Sequence, residues 1–201
     1  AIQLAVDKGV NHFDNADTYG FGRAEIRLAK ALGGRNKDIV IATKVGHAPG
    51  TAEHGYQALH IRHQCEQSLS NLKRDYLDLY YYHTADFGPQ DRYLDEAVET
   101  MNRLKEEGKI RLIGLCSGSD ADFLKLVPKT RPDVLQSWGQ AMDDCFIREG
   151  CAVQKLMDQY GLSFVAFGPL NQGLLLGKYN AKNPPTFNQG DFRGGRLGGK
   201  F

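Results

Sequence analysis

The chain has 201 residues, 41% hydrophobic and 24% charged, an ordinary globular balance and enough to bury a core as one domain over 1–201. Lys+Arg 25 against Asp+Glu 24 leaves a formal net charge of +1, so neither nucleic acid nor an anionic membrane surface is an expected partner. No apolar run approaches the roughly 20 residues of a membrane helix, and no secretory leader is expected.

The four cysteines (Cys65, Cys116, Cys145, Cys151) lack CxxC or His-paired spacing, which argues against a metal motif. They read as reduced thiols of a cytoplasmic protein. Cys116, inside an apolar run, reads as a small buried hydrophobe.

In chain order, Ile2, Leu4, Ala5 and Val6 have the spacing of an amphipathic helix that Gly9 closes. A strand is predicted next, ending at Asp14. Glu25 to Leu32 is helical by spacing and stops at Gly33-Gly34. Ile39 to Thr43 is a continuous apolar run, the mark of a strand buried on both faces, and it delivers Lys44. From His60 to Arg74 a helix places Ile61, Cys65, Ser68, Leu69 and Leu72 on one face. Leu77–Tyr82 reads as a strand delivering His83.

The alternation continues with a helix from Leu94 to Gly108 and a strand, Ile110–Cys116, that delivers Ser117. Ala121 to Val127 predicts a short helix broken by Pro128. A strand beginning at Val134-Leu135 has Gln136 near its end. Cys151 to Tyr160 is a helix closed by Gly161, and Ser163–Phe167 is a strand running into Gly168-Pro169-Leu170.

Six strands alternating with helices, without a hairpin signal between them, predict a parallel sheet with right-handed crossovers. An open doubly wound sheet and a (β/α)₈ barrel both fit that alternation. No glycine-rich phosphate fingerprint follows a strand before Gly168, which disfavours the open sheet. Polar residues stand at strand end after strand end: Asp14, Lys44, His83, Ser117 and Gln136. A ring of strand ends contributing to one site is the logic of a barrel.

The densest stretch is Gly9-Val10-Asn11-His12-Phe13-Asp14-Asn15-Ala16-Asp17-Thr18-Tyr19-Gly20. There a buried strand delivers carboxylates and a phenol just before the glycine-bounded turn Tyr19-Gly20-Phe21-Gly22. Taken singly these residues have plainer readings. Asp14 would cap the next helix, Tyr19 would be a turn aromatic, Lys44 a solvated strand-end lysine and His83 a structural histidine.

Together, Asp14, Tyr19, Lys44 and His83 resemble, in order and strand placement, the Asp-Tyr-Lys-His tetrad of the aldo-keto reductases. The resemblance covers essentially the whole chain. It implies a (β/α)₈ TIM barrel, of which about six βα units are present, and NAD(P)H-dependent reduction of aldehyde or ketone carbonyls. In that reading Asp14, Tyr19, Lys44 and His83 are catalytic, and Tyr19 and His83 also meet the small carbonyl substrate. A free phenol, with pKa near ~10, is a weak acid at neutral pH. Lys44 would lower it, Asp14 would keep Lys44 charged, and His83 would orient the carbonyl oxygen.

The resemblance also implies cofactor contacts from Asp14, Ser117, Gln136, Phe167, Gly168, Pro169, Leu170, Gln172 and Gly173. Ser117 and Gln136 would hold the nicotinamide carboxamide, Phe167 would stack on the ring, and the Gly168–Gly173 loop would fold over the pyrophosphate. Gly118 stands where the family has Asn, and Asn15 where Thr is common. The cofactor implied is NADPH, with NADH left open. No metal is implied.

Trp138, Tyr56, Phe87 and Tyr93 follow strands and are weak candidates for lining a substrate pocket. A family barrel also has a first strand, which would precede Ala1, and a seventh helix, eighth strand and eighth helix, which would follow Phe201. The sequence starts inside a helical pattern and ends in a Gly/Arg-rich loop, so both ends are expected to be cut. Two other readings fit the residues: a nicotinamide-binding regulatory subunit resembling potassium-channel β subunits, and a barrel of different chemistry.

Overall fold

A computed structural model describes residues 1–180, 182–191 and 193. The Gly/Arg-rich stretch expected to be a loop towards Phe201 lies outside the described residues. The first helix, α1 (Ile2–Asp7), ends with Lys8 as its cap, and Gly9 follows at φ +91°, the left-handed conformation that a side chain resists.

Six strands follow, β1 (His12–Asp14), β2 (Val40–Val45), β3 (Leu77–Tyr82), β4 (Ile110–Cys116), β5 (Val134–Trp138) and β6 (Ser163–Phe167). Between them run α2 (Arg23–Leu32), α3 (Ala58–Leu72), α4 (Leu94–Glu106), α5 (Asp120–Thr130) and α6 (Ala152–Tyr160). All neighbouring pairs are parallel and the sheet order is β1-β2-β3-β4-β5-β6, so each strand lies beside its sequence neighbours. This is the expected arrangement: six consecutive βα units of a (β/α)₈ barrel.

The period of two along each strand sorts the side chains. Ile41, Val45, Tyr80, Tyr82, Ile113, Leu115 and Leu135 pack outward in one large core with the helices, against Ile61, Cys65, Leu69, Leu72, Met101 and Phe123 among others. Ala42, Leu79, Tyr81 and Val134, with Cys116 and Val165, form a second, smaller cluster on the inner face. Lys44 lies two residues beyond Ala42, and Gln136 two beyond Val134, so both belong to that inner face. The same parity brings Asp14, His83 and Phe167 towards the mouth at the C-terminal ends of the strands.

Two expectations are corrected. Pro128 does not break α5, which runs to Thr130. Proline here removes only the bond its own N–H would have made, one turn from the end. The Thr130 hydroxyl donates to the Leu126 carbonyl at 2.9 Å, and the Arg131 N–H closes onto Val127 at 3.0 Å. Gly33-Gly34 is also not simply a stop, because a 3₁₀ segment continues over Gly33–Asp38. It buries Asn36, whose amide donates to the Leu72 carbonyl at 2.8 Å and so serves the C-terminal end of α3. No helix among the described residues is long and apolar enough to cross a membrane.

Candidate active site

Asp14 is the last residue of β1, Lys44 the last but one of β2, and His83 follows β3, its N–H donating to the Val45 carbonyl at 2.8 Å. Tyr19 comes from the turn after β1. The structure brings these four together. The Lys44 side chain is only 2% exposed, and its ammonium donates to the Asp14 carboxylate at 2.6 Å and to the Asn15 carbonyl at 2.6 Å. The same ammonium lies 5.5 Å from the centre of the Tyr19 ring and 5.7 Å from that of Tyr81. The Tyr19 and His83 rings meet edge to face at 5.9 Å.

The residue is 45% exposed at Tyr19, so the phenol is accessible from the mouth. Burial first, and then the Asp14 carboxylate, push its pKa above the ordinary phenol value. The sequence-based expectation was a lowered pKa. The difference has a physical reason, since the Lys44 charge is neutralised by Asp14 and engaged by the Asn15 carbonyl. His83 is pushed down to about 4, by burial first and then by the positive charge of Lys44 and by His47. It is therefore a neutral imidazole at physiological pH. Its Nδ1 is buried without a hydrogen-bond partner.

The cofactor candidates are arranged as follows. Gln136, 1% exposed, has both amide atoms buried without partners among the described residues. The Ser117 hydroxyl donates to Asp122 at 2.7 Å and accepts from the Ser119 N–H at 3.1 Å, leaving one acceptor lone pair. Phe167 ends β6 and is 42% exposed. The loop beyond it passes through Gly168, Pro169 and Leu170 into a 3₁₀ segment, Asn171–Leu176. Asn171, Gln172 and Gly173 are all left-handed there, at φ +45°, +57° and +100°. The Gln172 Oε1 is buried and has no partner among the described residues.

Two departures from the family pattern gain an account. Asn15, 5% exposed, accepts from the Ala16 N–H at 3.0 Å through its side chain and from Lys44 through its carbonyl. A Cβ placed on Gly118 would lie 2.7 Å from Cζ3 of Trp138, so the indole occupies the room an asparagine would need. Trp138 is fixed there by its N–H bond to Asp143 at 2.9 Å and by an edge contact with Phe146 at 5.0 Å.

The other pocket-lining candidates are corrected. Tyr56, Phe87 and Tyr93 are 0%, 1% and 6% exposed and belong to the outer core. Tyr56 stacks on Phe87 at 4.4 Å, and its hydroxyl donates to the Thr84 carbonyl at 2.6 Å. Cys116 is partly buried, and burial pushes its thiol up to about 11, in keeping with an inert side chain. Sequence reasoning missed His47, whose ring lies 5.0 Å from that of His83, and Tyr81 beside the Lys44 ammonium. The signal for His47 was its place three residues beyond Lys44 in the same strand-end loop.

The chain is similar in sequence and fold to known proteins. The chain is 31% identical over 189 residues to an uncharacterized oxidoreductase, YqkF, of Bacillus subtilis, covering 88% of this chain and 57% of that protein. It is 31% identical over 204 residues to a probable voltage-gated potassium channel subunit beta of Arabidopsis thaliana, covering 92% of this chain and 58% of that one. Among solved structures, aldo-keto reductase AKR11C1 of Bacillus halodurans (holo form) superposes with a TM-score of 0.79 at 29% identity, over 93% of this chain and 62% of that one. An aldo/keto reductase of Klebsiella pneumoniae in complex with NADP and acetate superposes with a TM-score of 0.68 at 26% identity, over 88% and 59%. The chain thus spans a little over half the length of the curated relatives it matches. The sequence model of the Aldo/keto reductase family matches residues 1–193, and the chain belongs to that family.

Proposed function

We propose that this protein reduces the carbonyl of a small aldehyde or ketone to an alcohol with NADPH, Tyr19 giving the proton. The observation that carries the reading is the buried Lys44 ammonium, held at 2.6 Å by both Asp14 and the Asn15 carbonyl, with Tyr19 and His83 grouped around it at the barrel mouth. The orphaned Gln136 amide fits a nicotinamide, because a carboxamide offers the donor and the acceptor it lacks. Ser117 has one lone pair left for the same group, and Phe167 presents a ring at the end of β6. Asp14 and residues Gly168–Gly173 are the remaining candidates for holding the nucleotide, including Pro169, Leu170 and Gln172.

A reduced nicotinamide held by these residues would supply the hydride to the carbonyl carbon. The carbonyl oxygen then carries the electron pair of the broken π bond and requires a proton. Tyr19 keeps its proton at neutral pH, because its pKa lies above the ordinary phenol value, and transfers it to that oxygen. The phenolate left behind lies near the Lys44 ammonium, which stabilises it until solvent returns the proton. Neutral His83 donates a hydrogen bond to the carbonyl oxygen, orienting it and stabilising the developing charge.

Oxidation of NADPH in the presence of 4-nitrobenzaldehyde, with formation of the alcohol, tests the reading. NADPH binding without turnover would overturn it in favour of a nicotinamide-binding regulatory subunit, in line with the similarity to a probable voltage-gated potassium channel subunit beta. The cytoplasm is the proposed location.

A further inference from the structure

Asp17 belongs to the densest motif of the sequence but takes no part in the proposed reaction. It lines a crevice of about 440 Å³ on the outer side of the sheet, between α2, α3 and the loops after β1 and β2. That volume lies within the roughly 300–1,000 Å³ of small-molecule sites. Both carboxylate oxygens of Asp17 are buried without a hydrogen-bond partner. From α3, Ser68 lines the same crevice; it is 1% exposed, and its hydroxyl is likewise buried and unpartnered. Two polar groups on separate elements line one cavity, and each lacks a hydrogen-bond partner among the described residues.

The charge of the lining selects the ligand class. Glu25 of α2 is fully buried beside Asp17, accepting from the Thr43 hydroxyl at 2.7 Å and the Asn71 amide at 2.9 Å. Gln64, Gln67 and Asn71 add amide oxygens, and none of the described residues lining the crevice is basic. An anion has no counter-charge there. The described residues also include no group of three His, Cys, Asp or Glu side chains able to hold a metal ion. Apolar surface flanks the acidic floor, with Phe21 93% and Ile26 50% exposed. Positive charge is what the described lining lacks, and Phe21 and Ile26 offer apolar surface for a short alkyl body.

We propose that this crevice binds a small aliphatic primary amine, its ammonium donating to Asp17 and its alkyl part lying against Ile26 and Phe21. The site is separate from the carbonyl site and its ligand is not the substrate of the proposed reduction.

A pH signature follows. Burial, and secondarily Glu25, push Asp17 up to about 7, while the nearby Thr18 N–H and the Lys44 charge offset this only in part. The groups facing it are Glu25 from α2 and Lys44 from β2. From α3 the lining is uncharged, and His60 of the same helix lies beside Gly50 of the lining. An ammonium prefers ionised Asp17, so binding releases a proton near neutrality and weakens in acid. With a free-state value of about 7, affinity falls about 30-fold between roughly pH 8.5 and 5.5.

The test is titration calorimetry of the protein with 1,4-diaminobutane, with butane-1,4-diol as the uncharged control. The expected result is binding of the diamine but not the diol, weakening about 30-fold towards the acid end and lost by at least about tenfold in Asp17→Asn. Ser68→Ala, which leaves the carboxylate in place, provides a second variant and is expected to weaken binding about threefold or more. NADPH is expected to leave the diamine affinity unchanged, which separates this site from the carbonyl site. Failure of the diamine to bind at millimolar concentration, equal binding of the diol, or wild-type affinity in both variants would overturn the assignment.

Discussion

The indole of Trp138 lies where a side chain on Gly118 would have to go, with Cζ3 only 2.7 Å from the Cβ position. The two positions therefore constrain each other sterically. Gly118→Asn alone is expected to cost about 1–3 kcal/mol by overpacking and to weaken NADPH binding by displacing the Ser117 end of the site. Gly118→Asn with Trp138→Leu is expected to recover most of both. Thermal melting and NADPH titration of the three variants check this; a single Gly118→Asn variant that melts and binds as wild type would show that the indole moves aside freely.

Lys44→Met removes the only side-chain partner of Asp14 among the described residues and the donor to the Asn15 carbonyl. The expected loss of stability is about 2 kcal/mol, short of the ~3–5 kcal/mol for breaking a fully buried pair, because Asp14 is 33% exposed. Turnover is expected to fall further than stability explains, and the pH–rate profile to change shape, because the phenolate formed at Tyr19 loses its counter-charge. Superimposable normalised pH–rate profiles for variant and wild type would contradict this.

Asp17→Asn is expected to stabilise the protein, and more so at high pH. The folded-state pKa of Asp17 is raised to about 7 from an unfolded value near 3.8, so the folded state holds its proton longer than the unfolded state. Wild-type stability is accordingly drained by this group as pH rises from about 4 to 7, by up to roughly 4 kcal/mol. The amide does not ionise, so the gain from the substitution is small near pH 4 and fully present above pH 7. Denaturant unfolding at both ends of that range measures it; a gain independent of pH would contradict the burial of an unpaired carboxylate.

His83 is neutral at any pH well above about 4. The rate of carbonyl reduction is therefore expected to stay level on the acid side down to about pH 5, with no inflection near the ordinary histidine value of ~6.5. An inflection there, removed by His83→Gln but not by His47→Gln, would contradict the burial effect on His83.

Much of this was legible in the sequence. The boundaries of Leu77–Tyr82, Ile110–Cys116 and Ser163–Phe167 come out as read, because runs dominated by apolar residues, with Asp78 and Arg111 only at their second positions, have one physical outcome in a parallel sheet. The continuous apolar run read at Ile39–Thr43, by contrast, forms Val40–Val45. The inward direction of Lys44 and Gln136 was legible for the same reason, since period two ties them to Ala42 and Val134, although Gln136 sits at the centre of β5 and not near its end. Tyr56, Phe87 and Tyr93 were not, because they sit in loops, where burial follows from the distant residues that pack on them. Nor was the surrounding of Asp17, to which α2 contributes Glu25 and α3 contributes Ser68 and Asn71 from far along the chain. The direction of the Tyr19 shift was missed because motif order says which charges are near, but only geometry says that Asp14 and Asn15 already engage Lys44.

The central claim is that Tyr19 gives the proton, and single-turnover kinetics of Tyr19→Phe test it most directly. NADPH-loaded protein is mixed with excess 4-nitrobenzaldehyde and the loss of NADPH absorbance is followed through one turnover. The expected result is a rate lower by about 10²–10⁴-fold with NADPH affinity unchanged, since the ring still packs beside His83 and only the acid is gone. A variant that turns over at more than half the wild-type rate, with hydride transfer limiting both, would contradict the account.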